Sequence, residues 1–157
     1  MKAIKIENPW EIDCVTMEKP VPAKGEALIQ IKSAGICGSD IGAFRGTNGL
    51  VSYPRVIGHE LAGVIAQIEP NNPKGLKVGD RVLIDPYLYC GHCYPCSIGR
   101  TNCCTDLKVL GVHIDGGMAE YYCHPADMLI PIPDDLDWTL AAMAEPLTIS
   151  LDRKSVV

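Results

Sequence analysis

Four cysteines gathered in one short stretch constrain this 157-residue chain more than any other feature of its sequence. The run reads Cys90-x2-Cys93-x2-Cys96-x7-Cys104, with a further thiol, Cys103, directly before the last. Zn²⁺ is bound tetrahedrally by four thiolates, and two-residue spacers allow neighbouring sulfurs to reach one ion. The spacing therefore predicts a loop folded around a structural zinc ion, with Cys104 as the fourth ligand and Cys103 as the alternative.

Other uses of clustered cysteines fit this run less well. A bacterial iron–sulfur run has three residues before its fourth cysteine and a proline after it, whereas seven residues and then Thr105 stand here. Disulfides persist in oxidising compartments, and the charged start of the chain lacks the apolar segment of a secretory signal. We therefore expect a cytoplasmic protein whose thiols bind metal, with His92 in the first spacer facing solvent.

Composition argues against several classes of function. Lys and Arg number 14 against 19 Asp and Glu, and this net charge of −5 disfavours binding to nucleic acid or to an anionic membrane. Hydrophobic residues make up 47% of the chain, more than a disordered chain carries. No run approaches the ~18 apolar residues of a membrane span. We expect a folded domain that binds neither nucleic acid nor a membrane.

Short alternating runs, separated by glycine and proline, predict a mainly β fold. In the clearest run Ala27, Ile29 and Ile31 alternate with the other face of a half-buried strand. Further strands are predicted near Ile4 and Ile6 and at 61–68, 81–85, 119–123 and 128–130. Many short strands at this spacing favour a barrel or a sandwich over a helical bundle.

One helix is predicted near the end of the chain, over 137–144. Asp137 can cap its N-terminus, and Leu140, Ala141 and Ala144 are expected to share one face. Pro146 is expected to interrupt the helix or to restart it.

A second and more dispersed group of residues has the ligand types of a catalytic zinc site. Cys37 follows the predicted strand that contains Ile31, and His59 and Glu60 precede the strand predicted at 61–68. A cysteine, a histidine and a carboxylate can hold zinc and leave one position open to water or substrate. A buried cysteine or a single histidine is more often structural, so the residues alone leave both interpretations open.

Taken in order, these motifs resemble the zinc-dependent medium-chain alcohol and polyol dehydrogenases. The motifs are Cys37-x-Ser39-Asp40, Gly58-His59-Glu60-x-x-Gly63, the four-cysteine run, Gly79-Asp80-Arg81-Val82 and Asp115-Gly116-Gly117-x-Ala119-Glu120-Tyr121. The resemblance implies that family's catalytic domain over 1–151, a GroES-like, partly open β-barrel with short helices and a structural-zinc loop at 90–104. It is strongest toward the sorbitol, threonine and sugar-acid dehydrogenases, including galactonate-type enzymes.

The resemblance also implies a ligand set for the catalytic zinc. Cys37 and His59 would bind the metal, with Glu60 as a third or an exchanging ligand. Glu145, in Ala144-Glu145-Pro146, matches the Glu-Pro of the polyol and threonine dehydrogenases. It would then bind zinc directly or hold its water, and the alternative is a solvent-exposed carboxylate at a helix end.

Two neighbours of Cys37 are given supporting roles by the same resemblance. Asp40 would orient His59 through the second ring nitrogen. Ser39 would accept a hydrogen bond from the substrate hydroxyl and begin the proton's exit. Where some relatives carry a histidine that passes this proton to solvent, the chain has Gly42, so the relay would end in water or in the cofactor ribose.

The implied reaction is oxidation of a secondary alcohol of a polyol or a sugar acid, with zinc polarising the hydroxyl and hydride passing to nicotinamide. The expected cofactors are two Zn²⁺ per chain, with NAD or NADP in the full-length enzyme. Full-length relatives are expected to be homo-oligomers.

Tyr53 and Arg55 are expected to serve packing, whereas His113 would face either the substrate pocket or an exposed loop.

The cofactor half of such an enzyme has no counterpart in the 157 residues. No Gly-x-Gly-x-x-Gly occurs, so the Rossmann domain is expected to be absent from this chain, by deletion or truncation, and no cofactor-binding residue is assigned. Residues 152–157 are interpreted as a remnant tail, and the isolated chain is expected to be inactive or nearly so. The alternative is a non-catalytic zinc-binding assembly module, which would need one metal ion rather than two.

Overall fold

Antiparallel pairing of strands distant in sequence builds the main sheet of the molecule, which is seen in a computed structural model that describes residues 1–153. Its five strands are β3 (Glu26–Ala34), β5 (Leu61–Ile68), β6 (Arg81–Ile84), β9 (Tyr121–Pro125) and β10 (Leu129–Pro131). They lie in the order β10-β6-β5-β3-β9. The register between β3 and β5 shifts twice, and such bulges bend and twist a sheet.

The alternating residues that predict these strands also form the main core. Ile29, Ile65, Val82 and Leu129 come from four of the five strands and are fully buried together. Burial of such apolar side chains is the main favourable contribution to folding. The predicted strand at 119–123 begins two residues later than expected, because Ala119 forms only an isolated bridge to the first strand.

A smaller three-stranded sheet lies beside the main one. It consists of β1 (Lys2–Asn8), β2 (Glu11–Thr16) and β4 (Arg55–Val56), in the order β2-β1-β4. A helix, α1 (Gly38–Arg45), packs near it, and Ile6 of β1 and Ala43 of α1 share a second buried cluster.

A two-stranded ribbon carries the cysteine-rich loop. Its strands are β7 (Tyr87–Leu88) and β8 (Lys108–Val109), which pair antiparallel with Tyr87 opposite Val109. The intervening loop contains a helical turn, α2 (Tyr94–Ser97), and a 3-10 turn over Thr101–Cys103. Both ends of the cysteine-rich loop are thus held by strand pairing.

Two helices close the described part of the chain, α3 (Trp138–Ala142) and α4 (Ala144–Arg153). The predicted cap is confirmed, since the Asp137 carboxylate accepts hydrogen bonds from the backbone N–H groups of Thr139, at 2.8 Å, and Leu140. The predicted break before Pro146 is confirmed as well. Proline is tolerated there because the first turn of a helix lacks intrahelical partners for its N–H groups.

The expected apolar face of this helix is wrong in two members, since Leu140 is exposed and Ala144 already belongs to α4. Ala141 is buried against the sheet, but Leu140 is 60% exposed, because α3 is short and turns Trp138, Ala141 and Ala142 toward the core. The helix α4 continues through Arg153, so the predicted tail begins inside it, and 154–157 lie outside the described residues.

Of the helices in 1–153, none is long and apolar enough to span a membrane.

Candidate metal centres

The four-cysteine run closes into one cluster. The sulfurs of Cys90, Cys93, Cys96 and Cys104 all lie within 4.8 Å of one another. Cys104 is buried whereas Cys103 is exposed and lies outside the group, so the fold brings together the first of the two predicted ligand sets. Four convergent thiols are the donor set of a closed structural zinc site.

The backbone of this loop directs hydrogen-bond donors at two of the four sulfurs, those of Cys93 and Cys104. The N–H groups of Cys90 and Asp106 both point at the Cys104 sulfur from 3.3 Å. Hydrogen bonds from the backbone N–H groups of Thr105 and Cys96 lower the pKa of Cys93 to about 6. His92 is exposed, as expected, with its Nδ1 2.8 Å from the carbonyl oxygen of Cys90.

A second cluster joins two segments that are distant in sequence. Cys37 is the N-cap residue of α1, and His59 and Glu60 lie directly before β5. One ligand atom from each of the three residues lies within 4.8 Å of the others. His59 is 5% exposed and Glu60 8%, and polar groups buried this deeply need partners.

Glycines make room for this second cluster. A Cβ on Gly35 would overlap the Glu60 carboxylate, so that residue must be glycine for Glu60 to occupy its position. Gly58 has a φ of +99°, which L-residues with side chains rarely adopt, and it turns the chain into His59.

Asp40 ties the two ligand segments together. It is 3% exposed, and its carboxylate accepts a 2.9 Å hydrogen bond from the Cys37 N–H and a longer one, 3.4 Å, from the Gly58 N–H. Its Oδ1 also lies 3.9 Å from His59 Nδ1, which is too long for a hydrogen bond. Asp40 thus lies beside a ring nitrogen of His59 without a hydrogen bond to it, while its hydrogen bonds hold the backbone on both sides of the cluster.

The second cluster opens on a cavity of about 400 Å³. The cavity is lined by Cys37, Ser39, Asn48, Leu50, His59, Glu60, Tyr87, Val109, Val112, His113, Glu145, Pro146 and Ile149. Two buried polar atoms at this site, Ser39 Oγ and His59 Nδ1, have no hydrogen-bond partner among the described residues. Orphaned buried atoms next to a thiol, an imidazole and a carboxylate fit a site that holds a metal ion and a polar ligand.

Glu145 reaches the same cavity from the first turn of α4 but is not a member of the three-ligand group. Its Oε1 accepts a 2.5 Å hydrogen bond from the hydroxyl of Tyr87. Burial, and secondarily the Glu145 carboxylate, raise the pKa of the Tyr87 phenol, so the phenol is the proton donor. The sequence predicts that Glu145 binds zinc, holds its water or is exposed, and none of these predictions includes Tyr87. Tyr87 follows Asp85-Pro86 and belongs to no motif.

Two further polar side chains line the cavity. The backbone N–H of Val109 donates to His113 Nδ1 at 3.1 Å, and that of Leu50 donates to Asn48 Oδ1 at 3.1 Å. Because these acceptor atoms are occupied, a neutral His113 carries its proton on Nε2, and Asn48 has its NH₂ group free to donate. The structure therefore favours the pocket position for His113.

The two residues expected to serve packing do so. Tyr53 donates a 2.5 Å hydrogen bond to the carbonyl of Ala43, and Arg55 pairs with Asp115 at 3.3 Å. Neither residue lines the cavity.

Fold and clusters together define a β domain with one closed thiol cluster and one mixed metal-ligand cluster that faces a cavity. Residues 23–134 match the alcohol dehydrogenase GroES-like domain family. The chain belongs to this family, and the GroES-like, partly open β-barrel that the resemblance implies is confirmed.

Named relatives cover nearly the whole chain. A zinc-type alcohol dehydrogenase-like protein of Haemophilus influenzae is 56% identical over 153 residues, and L-galactonate-5-dehydrogenase of Escherichia coli K12 is 44% identical over 150 residues. Each match covers 96% of this chain and 44% of the relative. The crystal structure of the short chain alcohol dehydrogenase RspB from E. coli CFT073 with NADH is 48% identical, with a TM-score of 0.88 over 96% of this chain and 44% of that chain. The chain thus spans less than half the length of these relatives.

Proposed function

We propose that this chain is the catalytic domain of a zinc-dependent oxidoreductase that transfers hydride from a secondary alcohol of a polyol or sugar acid to NAD or NADP. The observation that carries the proposal is the cluster of Cys37, His59 and Glu60, which opens on the 400 Å³ cavity. The likeness to L-galactonate-5-dehydrogenase and to an alcohol dehydrogenase solved with NADH supports the same reaction class.

The cavity-facing cluster would hold the catalytic zinc through Cys37, His59 and Glu60. Zinc, when bound there, supplies Lewis-acid polarisation of an alcohol oxygen. Asp40 keeps the two ligand segments at a fixed separation through its hydrogen bonds to the backbone of Cys37 and Gly58. The donor set contains one thiol and one carboxylate, so a divalent ion bound to their ionised forms is neutral overall.

Ser39 would take the first step of proton removal. Its Oγ is buried at the cavity and has no partner among the described residues, so it is free to accept a hydrogen bond from a substrate hydroxyl. Since Gly42 offers no side chain to continue the path, the proton would pass to water or to the cofactor ribose.

The donors on the cavity wall support a sugar acid rather than a simple alcohol as the substrate. The free Asn48 NH₂ and His113 Nε2–H groups both seek acceptors, and a carboxylate is an acceptor only. Such a substrate would place its hydroxyl toward the metal cluster and its acid group toward these donors.

The closed cysteine cluster would hold a second, structural zinc ion, and we place the protein in the cytoplasm, where its thiols stay reduced. A non-catalytic assembly module is the competing function, and one closed zinc site would suffice for it. That alternative leaves the cavity, the orphaned Ser39 Oγ and the cluster around Cys37 without a role.

The first test is the number of zinc ions per chain, measured by elemental analysis. We expect two in the wild-type protein, one in Cys37→Ser, and two in the control variant Cys14→Ser, because Cys14 is exposed on β2 and outside both clusters. The proposal would be contradicted, and the assembly module favoured, if the wild-type protein held one zinc ion per chain and still held one after zinc had been added and the excess removed.

A further inference from the structure

Tyr87 and Glu145 form a contact that the proposed reaction does not require. The two residues are separated by 58 positions in sequence, and the hydroxyl of one lies 2.5 Å from Oε1 of the other. Both line the metal cavity. A carboxylate on a flexible side chain beside a metal ion can turn toward the ion, so a partner that fixes it decides which role it has.

Tyr87 is itself held in place on two sides. Its backbone lies in the ribbon strand opposite Val109, and its N–H donates to the Asp85 carboxylate at 3.1 Å. The ring is half-buried in the wall shared by two cavities. The hydroxyl therefore has a fixed position, whereas Glu145 has the rotatable side chain.

Charge also disfavours Glu145 as a metal ligand. A divalent ion bound to the Cys37 thiolate and the Glu60 carboxylate is already neutral, so a further carboxylate would give the centre a net negative charge. Excess charge of this kind is costly where water is partly excluded. A hydrogen bond from a neutral phenol to an ionised carboxylate is, in contrast, among the stronger ones in proteins.

We propose that Tyr87 is a positioning residue whose hydroxyl holds the Glu145 carboxylate at the cavity wall, outside the metal-ligand group. Glu60 is then the third protein ligand, and Glu145 faces the space that the substrate occupies. The inference rests on the proposed metal centre. It also ties the site to the cysteine-rich loop, because Tyr87 stands on the ribbon that closes this loop.

The test replaces zinc by Co²⁺, whose visible absorption reports the number and type of its ligands. Because Cys37→Ser is expected to lose only the cavity-facing ion, subtracting its cobalt spectrum from that of the wild type gives the absorption of cobalt in the cavity-facing site. In Tyr87→Phe, which removes only the hydroxyl, Glu145 is freed to join the metal, and we expect loss of visible band intensity as the coordination number rises. Tyr89→Phe is the matched control, because Tyr89 is exposed two residues further on.

Two further variants show whether the effect passes through Glu145. Glu145→Gln alone should leave the cobalt spectrum as in the wild type, whereas Glu60→Gln should change it. Tyr87→Phe added to Glu145→Gln should then have no effect. An unchanged spectrum in Tyr87→Phe, or a change that persists in the Glu145→Gln background, overturns the inference and leaves the metal centre standing.

The remaining outcomes are also decisive. If Tyr87→Phe does not fold, the single variant Glu145→Gln still decides, since a changed spectrum there places Glu145 on the metal. If the wild-type and Cys37→Ser spectra coincide, no cobalt occupies the cavity-facing cluster, and both the proposed function and this inference fail.

Discussion

His124 is a buried histidine that the proposed chemistry does not use. It is fully buried in β9, and its Nε2 lies 2.8 Å from the carbonyl oxygen of Asp85, to which the neutral ring can donate. Burial lowers the pKa of His124 to about 4 from its usual 6.5. The side-chain carboxylate of Asp85 in turn accepts a hydrogen bond from the Tyr87 N–H. The contact between His124 and the Asp85 carbonyl therefore holds the start of the segment that reaches the cavity.

The lowered pKa of His124 predicts a loss of stability in mild acid. Between pH 6.5 and about pH 4, His124 is protonated in the unfolded chain but neutral in the folded chain. The contribution of His124 to the free energy of unfolding is therefore fully present above pH 6.5 and is lost as the pH falls toward 4. The expected loss in the free energy of unfolding from this residue between pH 7 and pH 5 is about 2 kcal/mol. Urea unfolding of wild type and His124→Gln at both pH values measures it.

The glutamine variant keeps a donor for the Asp85 carbonyl but does not titrate, so its stability should depend less on pH. His92→Gln is the control, since His92 is exposed and its replacement should leave the wild-type pH dependence unchanged. Equal pH dependence in wild type and His124→Gln would show that the buried imidazole is not responsible.

Residues with a motif were predictable and residues with only a spatial partner were not. Cys37, His59 and Glu60 have ligand chemistry and flank predicted strands, so their convergence could be expected from the sequence. Tyr87 is a single tyrosine after a proline, and its role depends on Glu145, which the fold brings to it across the cavity. Only the tertiary structure supplies such a pair.

Strands and helices also differ in whether the sequence could predict them. The core strands were predictable because apolar and polar residues alternate along them, as in β3 and β5. The strand β2, which was not predicted, is almost entirely exposed and pairs only with β1, so it contributes little to a core. The helix α1 contains Gly38 and Gly42, both poor helix formers, and is stabilised at its start by the Asp40 carboxylate.

The cysteine-rich loop is the element whose order depends most on metal. Its helical turn α2 spans four residues and has no buried member, so the loop lacks a core of its own. Cys104→Ser should therefore lose one of the two expected zinc ions and disorder the loop. Elemental analysis and amide hydrogen exchange over 90–104 measure these two effects.

The neighbouring thiol provides the matched control for that loop. Cys103 is exposed and outside the ligand group, so Cys103→Ser should retain both ions and the protection of the loop. Loss of metal in Cys103→Ser with retention in Cys104→Ser would show that the sequence alternative, in which Cys103 is the fourth ligand, is correct.

Across the entire domain, the two sheets bring the ligand segments together and leave them open on one side. The segment with Cys37 follows β3, the segment with His59 precedes β5, and Glu145 comes from α4. All three reach one cavity of about 400 Å³. The proposed hydride transfer also needs the nicotinamide next to the metal.

This arrangement predicts that a polypeptide of these 157 residues binds both metals but does not turn over substrate by itself. Among the described residues every strand pair is antiparallel apart from one isolated bridge, whereas dinucleotides bind at the carboxyl ends of parallel strands. Zinc-loaded protein mixed with NAD or NADP and a polyol or sugar acid should therefore produce no reduced nicotinamide, measured by absorbance against a Cys37→Ser blank. Turnover above that blank would show that the domain binds the cofactor unaided, and that residues of the metal cavity position the nicotinamide as well as the substrate.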